Sequence, residues 1–333
     1  MSGFLLKEGK YEARNVSQDE LWSAFSCVFS SKSRNDSSYK FGFLKSIIDN
    51  LYNVDQDLKL SFDQLFSKFG EIYWNLILKY GLKQKASTSD NRKTLLEQVL
   101  RSAVVKYNFL ETLPYEQLSA EAMIDITHQI KIKCKQYVVG ALFEDTKRLF
   151  YSFSKKEEWL QINPVMYEFL CKHKLVIEKL NYYEWAKFLE KVNEKDSATG
   201  LLNKIDASSK RNNLSKYRKI LFDEFETKNC FYCGKELRSD KIDIDHFIPW
   251  SFIKDDKLWN LVATCPSCNR KKNDRLPDKF FLDKIIERNM HISSMHKEEM
   301  QYYQEDLIRS IYNWALINGY NSIWIPSNNK LRE

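Results

Sequence analysis

The sequence predicts a mainly helical N-terminal domain with one small β-hairpin, followed by a C-terminal ββα unit held by a structural zinc. Three observations carry that expectation. Glycine and proline number only 9 and 6 in 333 residues, too few to punctuate many short strands. Apolar residues recur at three- and four-residue steps through much of the N-terminal half, the signature of helices with one buried face. Two Cys-x-x-Cys pairs then bracket a stretch that alternates like paired strands.

The N-terminal elements follow in order. Ser17 with Glu20 three residues on is a capping box, opening a helix to about Phe29. Residues 41–51 read as a second helix. Ser61 with Gln64 starts a third, behind which Leu65, Phe66, Phe69, Ile72, Tyr73, Leu76, Ile77 and Tyr80 form one apolar stripe ending at Gly81, a C-cap. Further helices are expected at 95–105 and 120–138. Leu142-Phe143 and Leu149-Phe150-Tyr151 suggest the hairpin, turning across residues 144–147. Asn163-Pro164 is an N-cap with proline at the first helical position, leading into helices at 165–179 and 182–192.

Residues 1–195 therefore form one domain, whose role is read as docking, sensing or oligomerisation, with a protein partner or a second copy as its occupant. Residues 196–214 are polar, carry charges of both signs and read as a linker. The domain at 215–333 opens with a basic helix and closes with another at about 297–318.

Composition narrows the function. The formal charge is +7, and residues 201–290 hold 19 basic against 14 acidic side chains, so most of the excess surrounds the cysteines. That balance favours a polyanion such as nucleic acid. No basic lead followed by an apolar core begins the chain, and no apolar run approaches the ~20 residues of a membrane helix. A cytoplasmic protein without a membrane partner is expected, its thiols reduced and available to metal. Cys27, Cys134 and Cys171 stand singly in helical patterns and read as small buried hydrophobes. His128, His173, His291 and His296 lack partners at ligand spacing and receive no role.

Cys230-x-x-Cys233 and Cys265-x-x-Cys268 are two zinc knuckles. Two intervening residues let a tight turn aim both sulfurs at one ion, and Gly234 suits that turn. Four thiolates leave no open position, so this zinc is structural. Between the knuckles, residues 242–249 alternate as one strand and 259–264 as a second. Asn269-Arg270-Lys271-Lys272 then opens a helix.

Asp245-His246 with Ile248-Pro249, then Asn260-Leu261, then Cys265-x-x-Cys268-Asn269-x-x-Lys272 resembles the HNH endonuclease motif of the ββα-metal fold in its zinc-stapled form. Residues 243–252 are also similar to the HNH domain of the CRISPR RNA-guided effector nucleases. The resemblance covers about residues 227–290. It implies an endonuclease that hydrolyses DNA, leaving 5′-phosphate and 3′-hydroxyl ends. Asp245 and Asn269 would hold one catalytic Mg²⁺, for which Mn²⁺ substitutes, and His246 would deprotonate the attacking water. Asn269 replaces the third motif histidine and is still an oxygen ligand suited to a hard cation. Asn260 would hold the connecting loop and so orient His246, while Arg270, Lys271 and Lys272 would contact flanking phosphates. Asp243 is read as a surface acid, with the metal site as its alternative. By family association the role is restriction or anti-phage defence. Two alternatives stay open: a zinc-stapled nucleic-acid-binding module that does not cut, and an RNA-cutting toxin with the same site.

Overall fold

The computed structural model describes residues 3–30, 33, 35–85, 93–195, 197–209, 214–223, 228–238 and 241–327. The chain divides into two compact units, Met1–Lys210 and Arg211–Glu333.

The first unit is helical around a small sheet. Its elements are β1 (Glu8–Gly9), α1 (Gln18–Phe29), α2 (Tyr39–Asp49), β2 (Lys59–Ser61), α3 (Phe62–Tyr73), α4 (Leu95–Lys106), α5 (Ala120–Asp145), β3 (Tyr151–Ser154), β4 (Trp159–Ile162), α6 (Pro164–Val192) and α7 (Leu201–Asp206). Both capping boxes form. Ser17 Oγ accepts the Glu20 N–H at 3.2 Å and the Glu20 carboxylate accepts the Ser17 N–H at 3.0 Å, with Ser61 and Gln64 exchanging the same pair of bonds at the start of α3. The apolar stripe of α3 is buried and continues into a π-helical turn, Trp74–Lys79, beyond which Gly81 sits at φ +65°. α3 packs on α2 and α5. The α2–α3 approach needs Gly42, where a Cβ would collide with the Tyr73 ring.

Inside this unit lies a buried ionic network. Lys45 Nζ reaches Asp49 at 3.0 Å and Tyr182 Oη at 2.8 Å, Tyr182 donates to Glu178 at 2.7 Å, and Ser209 donates to Asp49 at 3.0 Å. Opposite charges and filled hydrogen bonds offset the desolvation such burial costs. The network ties α2, α6 and the chain after α7 together.

Three sequence expectations shift. Leu142 and Phe143 belong to α5, which runs on to Asp145, so the hairpin lies elsewhere: β3 pairs with β4, Phe153 opposite Leu160, in a sheet of order β1-β3-β4-β2. A short apolar pair fits either period, and here the helix claims it. Thr146 closes α5 by donating to the Leu142 carbonyl at 2.9 Å, and Lys147 and Arg148 at φ +54° and +58° turn the chain into β3. The two helices expected after Asn163 are one, α6, bent at His173. Asn181, in the gap expected between them, is buried and donates to the Phe41 carbonyl at 3.0 Å. Part of the stretch read as a linker is packed. Leu201 and Ile205 of α7, which packs on α6, are buried, and so are Ser208 and Ser209, which meet Asn75 and Asp49, while residues 196 and 210–213 fall outside the described set.

The second unit comprises α8 (Ser215–Asp223), β5 (Asp243–His246), α9 (Trp250–Ile253), β6 (Leu261–Thr264), α10 (Pro266–Lys272), β7 (Leu276–Pro277), α11 (Phe280–Met295), α12 (Glu305–Ile317) and β8 (Ile323–Trp324). β5 and β6 pair antiparallel, Asp245 opposite Val262, and α10 packs on β5: strand, strand, helix. The last helix starts later than the sequence suggested. Tyr302 at φ +69° interrupts the backbone before Glu305. Among the described residues, no helix is long and apolar enough to cross a membrane.

Candidate functional site

The first knuckle is a tight turn. The Cys230 N–H donates to the Lys235 carbonyl at 2.7 Å and the Gly234 N–H to the Cys230 carbonyl at 3.0 Å, with Gly234 at φ +69° where a Cβ would be strained. The Phe231 N–H donates to Ala263 at 3.0 Å, fastening the turn to β6. The second knuckle is built differently: Cys265 is the N-cap of α10 and Pro266 its first residue, so Cys268 comes round one turn later on the same face.

These two turns bring Cys230, Cys233, Cys265 and Cys268 together, with all four sulfurs within 4.8 Å of one another. Tetrahedral coordination at a metal–sulfur distance of ~2.3 Å demands sulfur–sulfur edges of roughly 3.8 Å. Cys233 and Cys265 lie 3.9 Å apart, and all four thiols are free. The donors fit a structural metal site, and their softness suits zinc. Backbone polarity prepares it. The Cys268 thiol and backbone N–H groups, Cys265 N at 3.3 Å among them, donate to the Cys230 sulfur and hold its thiol far down, at about 4. Cys268, the donor of that bond, is raised correspondingly.

The acidic residues follow from the pleat of β5, which turns Asp243 and Asp245 to one face. On that face stands α10. Asn269 Nδ2 donates to Asp243 Oδ2 at 3.0 Å, and one turn on, Lys272 Nζ lies 3.1 Å from Asp245 Oδ2 and donates to the His246 carbonyl at 2.7 Å. Tyr232, from inside the first knuckle, donates to Asp245 Oδ2 at 2.9 Å. Burial, reinforced by the Asp245 charge, pushes its phenol well above the ordinary tyrosine range, so it remains a donor. Two carboxylates and an amide oxygen on one face are the donor chemistry of a hard cation.

Two sequence expectations change here. Lys272 is fully buried against Asp245 and so does not lie on the phosphate-facing run with Arg270 and Lys271, which are exposed. Asp243, read as a surface acid, sits against Asn269; the period-two alternation that puts it on the same face as Asp245 was the signal for it. The structure also brings in Tyr232 and Asp256, which sequence reasoning missed. His246 Nε2 lies 2.7 Å from Asp256 Oδ1, both side chains buried.

Asn260 closes the neck of the loop between the strands. Its Oδ1 accepts the Ile248 N–H at 2.8 Å, its Nδ2 donates to the Ile248 carbonyl at 2.9 Å, and its own carbonyl accepts from Phe247 at 2.7 Å. Asn260→Ala is expected to strand both Ile248 groups and to cost about 2–6 kcal/mol, at 1–3 kcal/mol for each buried unsatisfied group. Chemical denaturation of the two proteins measures it. From α11, Arg288 and Asn289 hold the Trp259 carbonyl beside the same neck, Asn289 at 2.9 Å.

Residues 230–278 match the family model described as HNH endonuclease. The segment belongs to the HNH endonuclease family. The HNH region is 44% identical over 57 residues to the CRISPR-associated endonuclease Cas9 of Streptococcus mutans, covering 16% of this chain and 4% of that protein. It is 35% identical over 81 residues to the CRISPR-associated endonuclease Cas9 of Listeria innocua, covering 21% of this chain and 6% of that one. The chain thus spans only a small part of the length of these relatives. No solved structure matches it.

Proposed function

We propose that this chain is a metal-dependent endonuclease that hydrolyses DNA phosphodiester bonds, with Asp245 and Asn269 holding Mg²⁺ and His246 as the general base. The observation that carries this reading is the face shared by β5 and α10, where Asp243, Asp245 and Asn269 gather within a segment of the HNH family. Asp243 joins that oxygen set. These side chains would hold a hard divalent ion, which when bound would supply Lewis-acid stabilisation of the scissile phosphate. His246 takes a proton from water as the water oxygen forms its bond to phosphorus. The bond from phosphorus to the 3′ oxygen breaks, and that oxygen takes its proton from solvent. Lys272 keeps Asp245 in place and ties it to the backbone of His246. Exposed Arg270 and Lys271 contact the flanking phosphates. Likeness to CRISPR-associated endonucleases supports a role in anti-phage defence or restriction.

Zinc-loaded full-length chain incubated with supercoiled plasmid tests the reading. Nicked or linear product is expected with Mg²⁺ or Mn²⁺ and none after EDTA, with zinc retained. A structured RNA in a parallel reaction separates DNA from RNA as substrate. Tight binding of either nucleic acid without cleavage under any divalent ion would make the chain a binding module instead.

A further inference from the structure

Resting on the nuclease reading above, we infer that Asp256 is a positioning residue for His246, fixing which ring nitrogen carries the proton. His246 Nε2 and Asp256 Oδ1 stand 2.7 Å apart with both side chains almost wholly enclosed. The two residues come from opposite limbs of the loop that Asn260 closes, so their meeting depends on the loop's fold and not on sequence proximity.

Asp256 is itself held by its backbone. Its carbonyl accepts from Tyr217 Oη of α8 at 3.0 Å, and its N–H donates to the Asp255 side chain at 2.8 Å. Lys254, at φ +61°, turns the chain into this position at the end of α9. A carboxylate placed in this way is an acceptor. A neutral imidazole carries one N–H and one lone pair. Because Asp256 takes the N–H of Nε2, the lone pair is left on Nδ1, and Nδ1 is the nitrogen that receives the proton of the attacking water. The same bond fixes the ring plane. Asp256 thus acts through His246 and does not itself touch the reacting atoms.

Long-range ¹H–¹⁵N NMR on the full chain reads the tautomer directly. The chain has only 5 histidines, so the loss of one set of signals in His246→Ala assigns the ring. At the alkaline limit, Nε2 is expected at the shift of a protonated nitrogen and Nδ1 at that of an unprotonated one. The reverse assignment in the wild-type protein overturns the proposal whether or not any variant folds.

In cleavage assays, Asp256→Asn is expected to lower kcat about 10–100-fold, the usual loss on removing a group that orients a site residue. KM and zinc content should stay unchanged and the tautomer signals should mix. A carboxylate with only a structural role would instead lower the melting temperature and leave the tautomer and kcat intact, which also overturns the proposal. If the wild-type protein cuts no nucleic acid, the nuclease reading fails, while the tautomer measurement still decides the position of the proton.

Discussion

Replacing His246 by alanine is expected to lower cleavage about 10²–10⁴-fold, the range a general base supplies, while zinc stays bound. The geometry makes the variant informative. Lys272 grips the backbone carbonyl of His246 and the side chain of Asp245, so neither tie depends on the imidazole. Asn260 likewise holds the loop through Ile248. What alanine does remove is the partner of Asp256, leaving that buried carboxylate short of a donor at a cost of about 1–3 kcal/mol. A modest fall in melting temperature should therefore accompany the loss of activity. Single-turnover cleavage alongside metal analysis separates the two effects. Full activity in the variant removes His246 from the chemistry.

Cys265→Ser should act on folding. A serine hydroxyl is a poor ligand for a soft-leaning site, and Cys265 also begins α10, the helix that carries Asn269 and Lys272. Structural zinc contributes on the order of 10–16 kcal/mol in zinc-finger peptides. That is comparable to the whole stability of a small domain, about 5–15 kcal/mol. Zinc stoichiometry is expected to fall from one per chain towards none. The β5–β6–α10 arrangement should lose its cooperative melt, and cleavage should be lost with it. Retention of one zinc in the variant contradicts the four-sulfur site.

What the sequence disclosed was what local rules encode. Capping boxes at Ser17 and Ser61, the proline after Asn163, the α3 stripe and the two knuckles each occupy a few consecutive residues, and each is found where expected. The hairpin was misplaced because Leu142-Phe143 carries no periodicity of its own, and only the run of α5 beyond Val138 decides it. The gap expected between 179 and 182 is absent because Asn181 finds a partner distant in sequence, the Phe41 carbonyl. The same reason hid Asp256. In Lys254-Asp255-Asp256-Lys257 it reads as one acid in a solvated charged run, and its burial against His246 appears only when the loop closes. Lys272 is the converse case. A basic run at a helix start resembles a phosphate clamp, yet helical spacing puts Lys272 one turn after Asn269 on the face that meets β5.

The measurement that bears most directly on the proposed mechanism is Mn²⁺ binding followed by electron paramagnetic resonance on zinc-loaded chain. One Mn²⁺ per chain is expected in the wild-type protein, and Asp245→Ala with Asn269→Ala should abolish that binding without releasing zinc. Undiminished Mn²⁺ binding in the double variant contradicts the assignment of the hard cation to the face between β5 and α10.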